Sequence, residues 1–324
     1  MGSRTVRAEG SMLRALSRLG PGAACLLALV FAAAPARATL RIVATMPDVA
    51  DMARGIGGDR VVVETLAEGD QDPHRVPVKP SFVTKLNRAD AVVVQGLGLE
   101  HSFLPALLEV ARNPAIAPGQ PAYIDASLYV EPLEVPSSLS RAQGELHPLG
   151  NPHFNLDPVN GRKMARAIAE GLERVDPAGA EVYRQGLARF LAQLDEKIAA
   201  WTLLAAPLRG RKMISNHMDL PYLAERYGFE VVGTIEYKPG VPATPGHLEE
   251  LVVLAQRTHV DLVVHEVSYE DSLSKSLAQK IGAPVATVSV TAGGLPGTSS
   301  YVAFVDANLQ ALVRALQSAS SPPG

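Results

Sequence analysis

The sequence holds one cysteine, Cys25, and it lies within the first 38 residues. From residue 39 onward there is no thiol, which excludes a disulfide, a thiolate metal site and a cysteine nucleophile. Charge of one sign is also lacking: 30 Lys and Arg stand against 33 Asp and Glu, a formal net charge of −3. A chain without basic excess has little to hold it to phosphate backbones or to anionic lipid, so nucleic acid is a poor partner for it. No internal repeat, no low-complexity segment and no H-E-x-x-H motif occurs. The long apolar run that a spanning helix needs, roughly 20 residues, is missing too. What is present is the balance of a globular protein, 47% hydrophobic and 19% charged over 324 residues, enough chain for two domains.

Residues 1–38 are set apart from that globular part. Arg4, Arg7, Arg14 and Arg18 precede the apolar run AACLLALVFAAA, and Ala36-Arg37-Ala38 follows it. This is the charged, apolar and small-residue order of a cleaved secretory signal, which predicts a mature chain starting near Thr39 and export to the periplasm. A lipid-anchored protein would carry its apolar run before the cysteine, whereas here it follows Cys25.

Beyond Thr39 the pattern alternates between β-branched runs and helical periodicity. RIVAT, VVVETL, ADAVVVQGL and AYIDAS read as strands, with PDVADMARGIGG, SFVTKLNRA and FLPALLEVAR as the helices between them. Such βαβ alternation predicts a parallel sheet with helices on both faces, here a lobe over residues 39–135. Residues 136–176 read as a Pro-, Ser- and Gly-rich loop leading into a helical stretch. Residues 177–206 form a long amphipathic helix, in which Leu187, Phe190, Leu191, Leu194, Ile198 and Trp201 recur at spacings of three and four. Alternation resumes over 207–318 with KMISNH, EVVGTIE, HLEELVVLAQRT, DLVVHEV, SLSKSLAQKIG and PVATVSV, and 319–324 is a tail. The fold class is therefore α/β: two lobes, each a parallel sheet, linked by one long helix.

Three of the eight histidines fall where a strand or loop gives way to a helix: His74 in DQDPHRVP, His153 in GNPHFNLDP and His217 in SNHMDLP. Those junctions share the rim of a parallel sheet where α/β folds bind ligands, so the three predict a site between the lobes. Three imidazoles suit Zn²⁺, bound tetrahedrally at about 2.0–2.1 Å.

The order of these pieces resembles the periplasmic metal receptors of zinc and manganese ABC importers over essentially the whole mature chain. Asp72-Pro73-His74 matches that family's DPH motif, and Asn151-Pro152-His153 with Phe154 and Leu156-Asp157-Pro158 matches its second motif. His217 ahead of Ala224-Glu225-Arg226-Tyr227-Gly228 matches the third, and GLGLE at 96–100 resembles the phrase after the buried strand. The resemblance implies a non-enzymatic, monomeric receptor that binds a divalent metal ion and hands it to a membrane permease. It also implies that His74, His153 and His217 are metal ligands, and Asp157 is expected to cap the next helix.

In one respect the chain departs from that pattern. The family's fourth ligand is an aspartate shortly after the last core strand, and no carboxylate occurs between Val285 and Ser300. Glu266, at the end of an apolar strand, is the candidate for the fourth ligand, with Glu236 or a water as alternatives. His147 and His101 lie in sequence near the expected cleft, and His247 and His259 read as surface residues. Manganese receptors tend to carry a carboxylate where this chain has His217, and imidazole suits Zn²⁺ better than Mn²⁺, so zinc is the expected ion. An exported zinc hydrolase with Glu266 as general base, or an adhesin of the same fold, are the competing readings.

Overall fold

The computed structural model describes residues 39–138, 147–238 and 240–320. The expected export signal and the last residues of the tail lie outside the described residues. The first sheet comprises β1 (Leu40–Ala44), β2 (Val61–Thr65), β3 (Ala91–Val94) and β4 (Tyr123–Asp125), parallel throughout in the order β2-β1-β3-β4. Its helices are α1 (Pro47–Gly57), α2 (Pro80–Arg88) and α3 (Leu104–Ala111). All four residues of β3 are buried, as a β-branched run in a sheet covered on both faces requires. In α1, Pro47 occupies the first turn, where its missing N–H costs nothing, and Val49, Met52, Ala53 and Ile56 form the buried stripe.

Two helices follow, α4 (Pro158–Val175) and α5 (Ala180–Leu204). The long amphipathic pattern predicted a helix from residue 177, but Pro177–Gly179 form a 3-10 turn and the α-helix begins at Ala180. The corner is pinned by Asp176, whose carboxylate accepts from the Arg60 guanidinium at 2.8 Å and the Tyr183 hydroxyl at 2.7 Å. At 25 residues α5 is about 37 Å long, given a rise of 1.5 Å per residue. Gly186 lets it lie directly on the end of α1, since a Cβ there would stand 2.1 Å from the Ile56 carbonyl oxygen. The helix is thus packed along its length, with Tyr183, Phe190, Leu194 and Trp201 buried.

The second sheet repeats the design with β5 (Lys212–Ser215), β6 (Glu230–Thr234), β7 (Leu262–Glu266) and β8 (Val285–Val288), all parallel in the order β6-β5-β7-β8. Its helices are α6 (Pro221–Tyr227), α7 (Pro245–Thr258), α8 (Asp271–Ile281) and α9 (Tyr301–Ser320), the last running into the stretch expected as a tail from residue 319. A continuous apolar core joins both sheets, containing Val93 and Ile124 from the first together with Val264 and Val288 from the second. A smaller cluster of Ile214, Leu251, Val263 and Leu277 fills the space under α7 and α8.

The loops at the carboxyl ends of the two sheets touch. A Cβ on Gly69, after β2, would stand 2.3 Å from the carbonyl oxygen of Ala292, after β8, so glycine is needed for that approach. Beside it Asp48 accepts from the Ala292 amide at 2.8 Å and from the Asn155 side chain at 3.1 Å. Burial raises the Asp48 carboxyl to a pKa of about 7 against the pull of those two donors. These contacts hold the two rims face to face, and the histidines lie between them.

Candidate metal centre

Two of the three histidines are set by the same local device. In Asp72-Pro73-His74 the Asp72 carboxylate accepts from the His74 amide at 2.8 Å, and in Asn151-Pro152-His153 the Asn151 side-chain oxygen accepts from the His153 amide at 2.9 Å. Each is a tight turn in which an Asp or Asn side chain bonds the backbone two residues on, with proline fixing φ between them. Tertiary contacts then lock each turn. The Ser102 hydroxyl donates to the His74 carbonyl at 2.7 Å. Asn151 donates to the Met218 carbonyl at 2.7 Å, and the Tyr222 hydroxyl donates to the Asn151 carbonyl at 2.8 Å. Asp157 caps α4 as expected, accepting from the Val159 amide, and also receives a bidentate pair from Arg226 of the ERYG phrase at 2.8 Å on each oxygen.

His217 sits in the loop after β5, where its carbonyl accepts from Ser215 at 2.6 Å. Its Nδ1 meets a Glu236 carboxylate oxygen at 2.5 Å. Two residues further on, Asp219 turns its carboxylate into the same space.

The four side chains His74, His153, His217 and Asp219 each present one ligand atom within 4.8 Å of all the others. His74 Nε2 lies 3.0 Å from His153 Nε2, and Asp219 Oδ1 lies 3.0 Å from His153 Nε2 and 3.9 Å from His217 Nε2. His74 comes from the first sheet's rim, His153 from the connecting region, and His217 and Asp219 from the second sheet's rim. The structure therefore brings the three expected histidines together.

Glu266 is a different matter. It is fully buried at the end of β7, and both its oxygens accept from the Asn216 amide, at 3.3 and 2.9 Å. The carboxylate props the loop that carries His217 instead of joining the convergent ligand atoms, where Asp219 stands in its place. Asp219 is not among the expected site residues, although the sequence carries a signal: His-x-Asp shortly after a strand and before a helix-starting proline can point both side chains one way. The other candidate, Glu236, reaches the imidazole of His217 and not the convergent space. The stretch after β8, where the fourth ligand was sought, is occupied with the contacts to Gly69 and Asp48.

Electrostatics single out His217. Burial, followed by the neighbouring histidines, pushes His74 and His153 well below the ordinary histidine range. Burial acts on His217 in the same sense, but Asp219, Glu236 and Asp72 outweigh it and push its pKa up to about 9. Burial also raises Asp219, to about 6, despite His217, and holds Glu266 well above its usual value, with the Asp219 charge adding to the effect. Two bare imidazoles, a carboxylate and a charge-hungry interior form a donor set for a cation with nitrogen affinity.

Outside the four, the His147 ring lies 5.0 Å from that of His74, beside the centre, and meets the His101 ring edge-on at 5.4 Å, which leaves the exposed His101 further out. His247 is not the surface residue expected: it is partly buried, with Nε2 2.8 Å from the Thr234 carbonyl.

Comparison with known proteins gives the family of the chain. The chain is 27% identical over 283 residues to the manganese-binding lipoprotein MntA of Halalkalibacterium halodurans, covering 86% of this chain and 88% of that protein. It is 24% identical over 283 residues to the metal ABC transporter substrate-binding lipoprotein SloC of Streptococcus mutans, covering 86% and 90%. A crystal structure of ZnuA superposes with a TM-score of 0.71 at 27% identity, covering 86% of this chain and 99% of that one. A zinc-bound deletion mutant of ZnuA gives 0.70 at 26% identity, covering 86% and 98%. Residues 42–315 match the profile of the zinc-uptake complex component A, periplasmic, and the chain belongs to this ZnuA family.

Proposed function

We propose that this protein is a periplasmic receptor that captures a divalent metal ion, Zn²⁺ in first place, with His74, His153, His217 and Asp219, and delivers it to the permease of an ABC importer. The convergence of three imidazole nitrogens and one carboxylate oxygen within 4.8 Å, drawn from both rims and the segment between them, carries the reading. Four such donors match the tetrahedral preference of Zn²⁺. Manganese favours oxygen ligands, so the relatives named for manganese leave Mn²⁺ as the second reading, and the nitrogen-rich set argues for zinc over it.

Nothing in the task calls for a chemical step. The ion is cargo, held by displacing the proton on His217 and by satisfying Asp219. Membership of the family, and relatives named as ABC transporter substrate-binding proteins, support the permease as partner. Export through residues 1–38 and action as a monomer complete the reading.

Calorimetric titration of Zn²⁺ and Mn²⁺ into metal-stripped protein tests it. One Zn²⁺ per chain, bound more tightly than Mn²⁺ and lost in Asp219→Ala, is expected. Tighter Mn²⁺ binding would overturn the zinc assignment, and saturable binding unaffected by Asp219→Ala would overturn the ligand set.

A further inference from the structure

Glu236 and Asp219 both lie within 4 Å of the His217 imidazole, yet they approach opposite nitrogens. Asp219 Oδ1 faces Nε2 at 3.9 Å, on the side of the other ligands, whereas Glu236 Oε2 meets Nδ1 at 2.5 Å, on the far side. Glu236 is itself held: its amide donates to the Asn216 carbonyl at 2.9 Å, its carbonyl accepts from the Thr234 hydroxyl at 2.9 Å, and the Tyr269 hydroxyl stands 3.5 Å from Oε1. Its side chain is 13% exposed and that of His217 8%. A carboxylate fixed in this way against Nδ1 leaves one arrangement for the imidazole, with the proton on Nδ1 and the Nε2 lone pair turned to the ion.

Charge gives the arrangement a second consequence. Asp72 at the mouth, 3.7 Å from the Arg75 guanidinium, also acts on His217. Asp219 faces a bound ion directly, and Glu236 acts on it through the imidazole. In a buried site an unbalanced cation is costly, so both carboxylates favour a bound ion.

We propose that Glu236 is the positioning residue of the metal site, orienting His217 and strengthening it as a donor to the ion. The inference rests on the receptor reading above. Partners of this kind, behind a ligating histidine, change metal affinity by about 10–100-fold when removed. Glu236→Gln keeps a hydrogen-bond acceptor of the same shape and removes only the charge, so it separates the proposed role from simple support of the loop.

The experiment uses the chain from Thr39 onward, with zinc and cobalt as probes. Wild type and Glu236→Gln are compared by competition titration with a chelator, by the visible spectrum of the Co²⁺ forms, and by the proton resonance on Nδ1 of His217 in the Zn²⁺ forms. The expected result is a roughly 10–100-fold loss of Zn²⁺ affinity, a Co²⁺ band pattern of unchanged coordination number, and a Nδ1 proton that moves upfield from a strongly deshielded position. A Tyr269→Phe variant is expected to lose less than Glu236→Gln. Unchanged affinity in Glu236→Gln would overturn the proposal, and so would a changed coordination number in the Co²⁺ spectrum, which would make Glu236 a ligand. If wild type itself fails to bind zinc, it is the receptor reading that falls.

Discussion

His74 and His153 on one side, and His217 on the other, reach the same space by different routes. The first two are aimed by three-residue turns in which the histidine amide donates to the Asp or Asn side-chain oxygen. The third is aimed by residues far away in the chain: Glu266, 50 positions beyond Asn216, props the loop, and Glu236 fixes the ring. Their electrostatics divide the same way. Burial leaves His74 and His153 as neutral bases, whereas the carboxylates around His217 overcome its burial and hold a proton on it up to about pH 9. In the proposed site, a histidine aimed locally comes ready to bind, and one aimed by tertiary contacts has to be discharged first.

This contrast can be broken from either side. The largest effect is expected from His153→Ala, which removes a donor that touches both His74 and Asp219. Zinc affinity should fall by more than the roughly 100-fold that marks the upper range for partners lying behind a ligand, as read by competition titration. A smaller loss would mean that His153 is only a neighbour of the ion.

Next comes the prop. Glu266→Ala strands the buried Asn216 amide, which costs about 1–3 kcal/mol, whereas Glu266→Gln retains an acceptor. Thermal unfolding of the metal-free variants should rank alanine well below glutamine, and equal melting temperatures would refute the propping role.

The proton on His217 gives a pH test. Because the folded pKa of about 9 lies above the ordinary 6.5, His217 stabilises the metal-free fold fully below about pH 6.5 and loses that contribution as pH rises through 9. Melting of the metal-free protein should therefore fall over this window, and zinc binding near pH 7.5 should release about one proton. Titrations in two buffers of different ionisation heat measure that release, and identical heats would rule it out.

The smallest effect concerns shape. With α5 packed along its length and the apolar core continuous between the sheets, metal should change the lobe arrangement little. Solution scattering profiles with and without zinc should nearly coincide, and a large change in radius would show a hinge that this packing does not provide.

How much of this was open to reading from the chain follows the same division. The two parallel sheets were legible in alternating β-branched and helical runs, and the three histidines in their places at strand-to-helix junctions. The capping role of Asp157 was legible from its position before Pro158, but its bidentate pair with Arg226, 69 residues away, was not. Glu266 misled because an acidic residue ending an apolar strand looks the same in sequence whether it meets an ion or a backbone amide. Asp219 was passed over because the direction of a loop side chain depends on the turn.

By itself, the sequence determined what short-range physics can encode: strand and helix periodicity, proline at helix starts, and two Asx turns that hold a histidine at a set angle. Only the tertiary structure decided which carboxylate faces the three imidazoles and which ones stand behind them. That choice depends on burial and on contacts between residues tens of positions apart, and both exist only once the two rims have closed on each other.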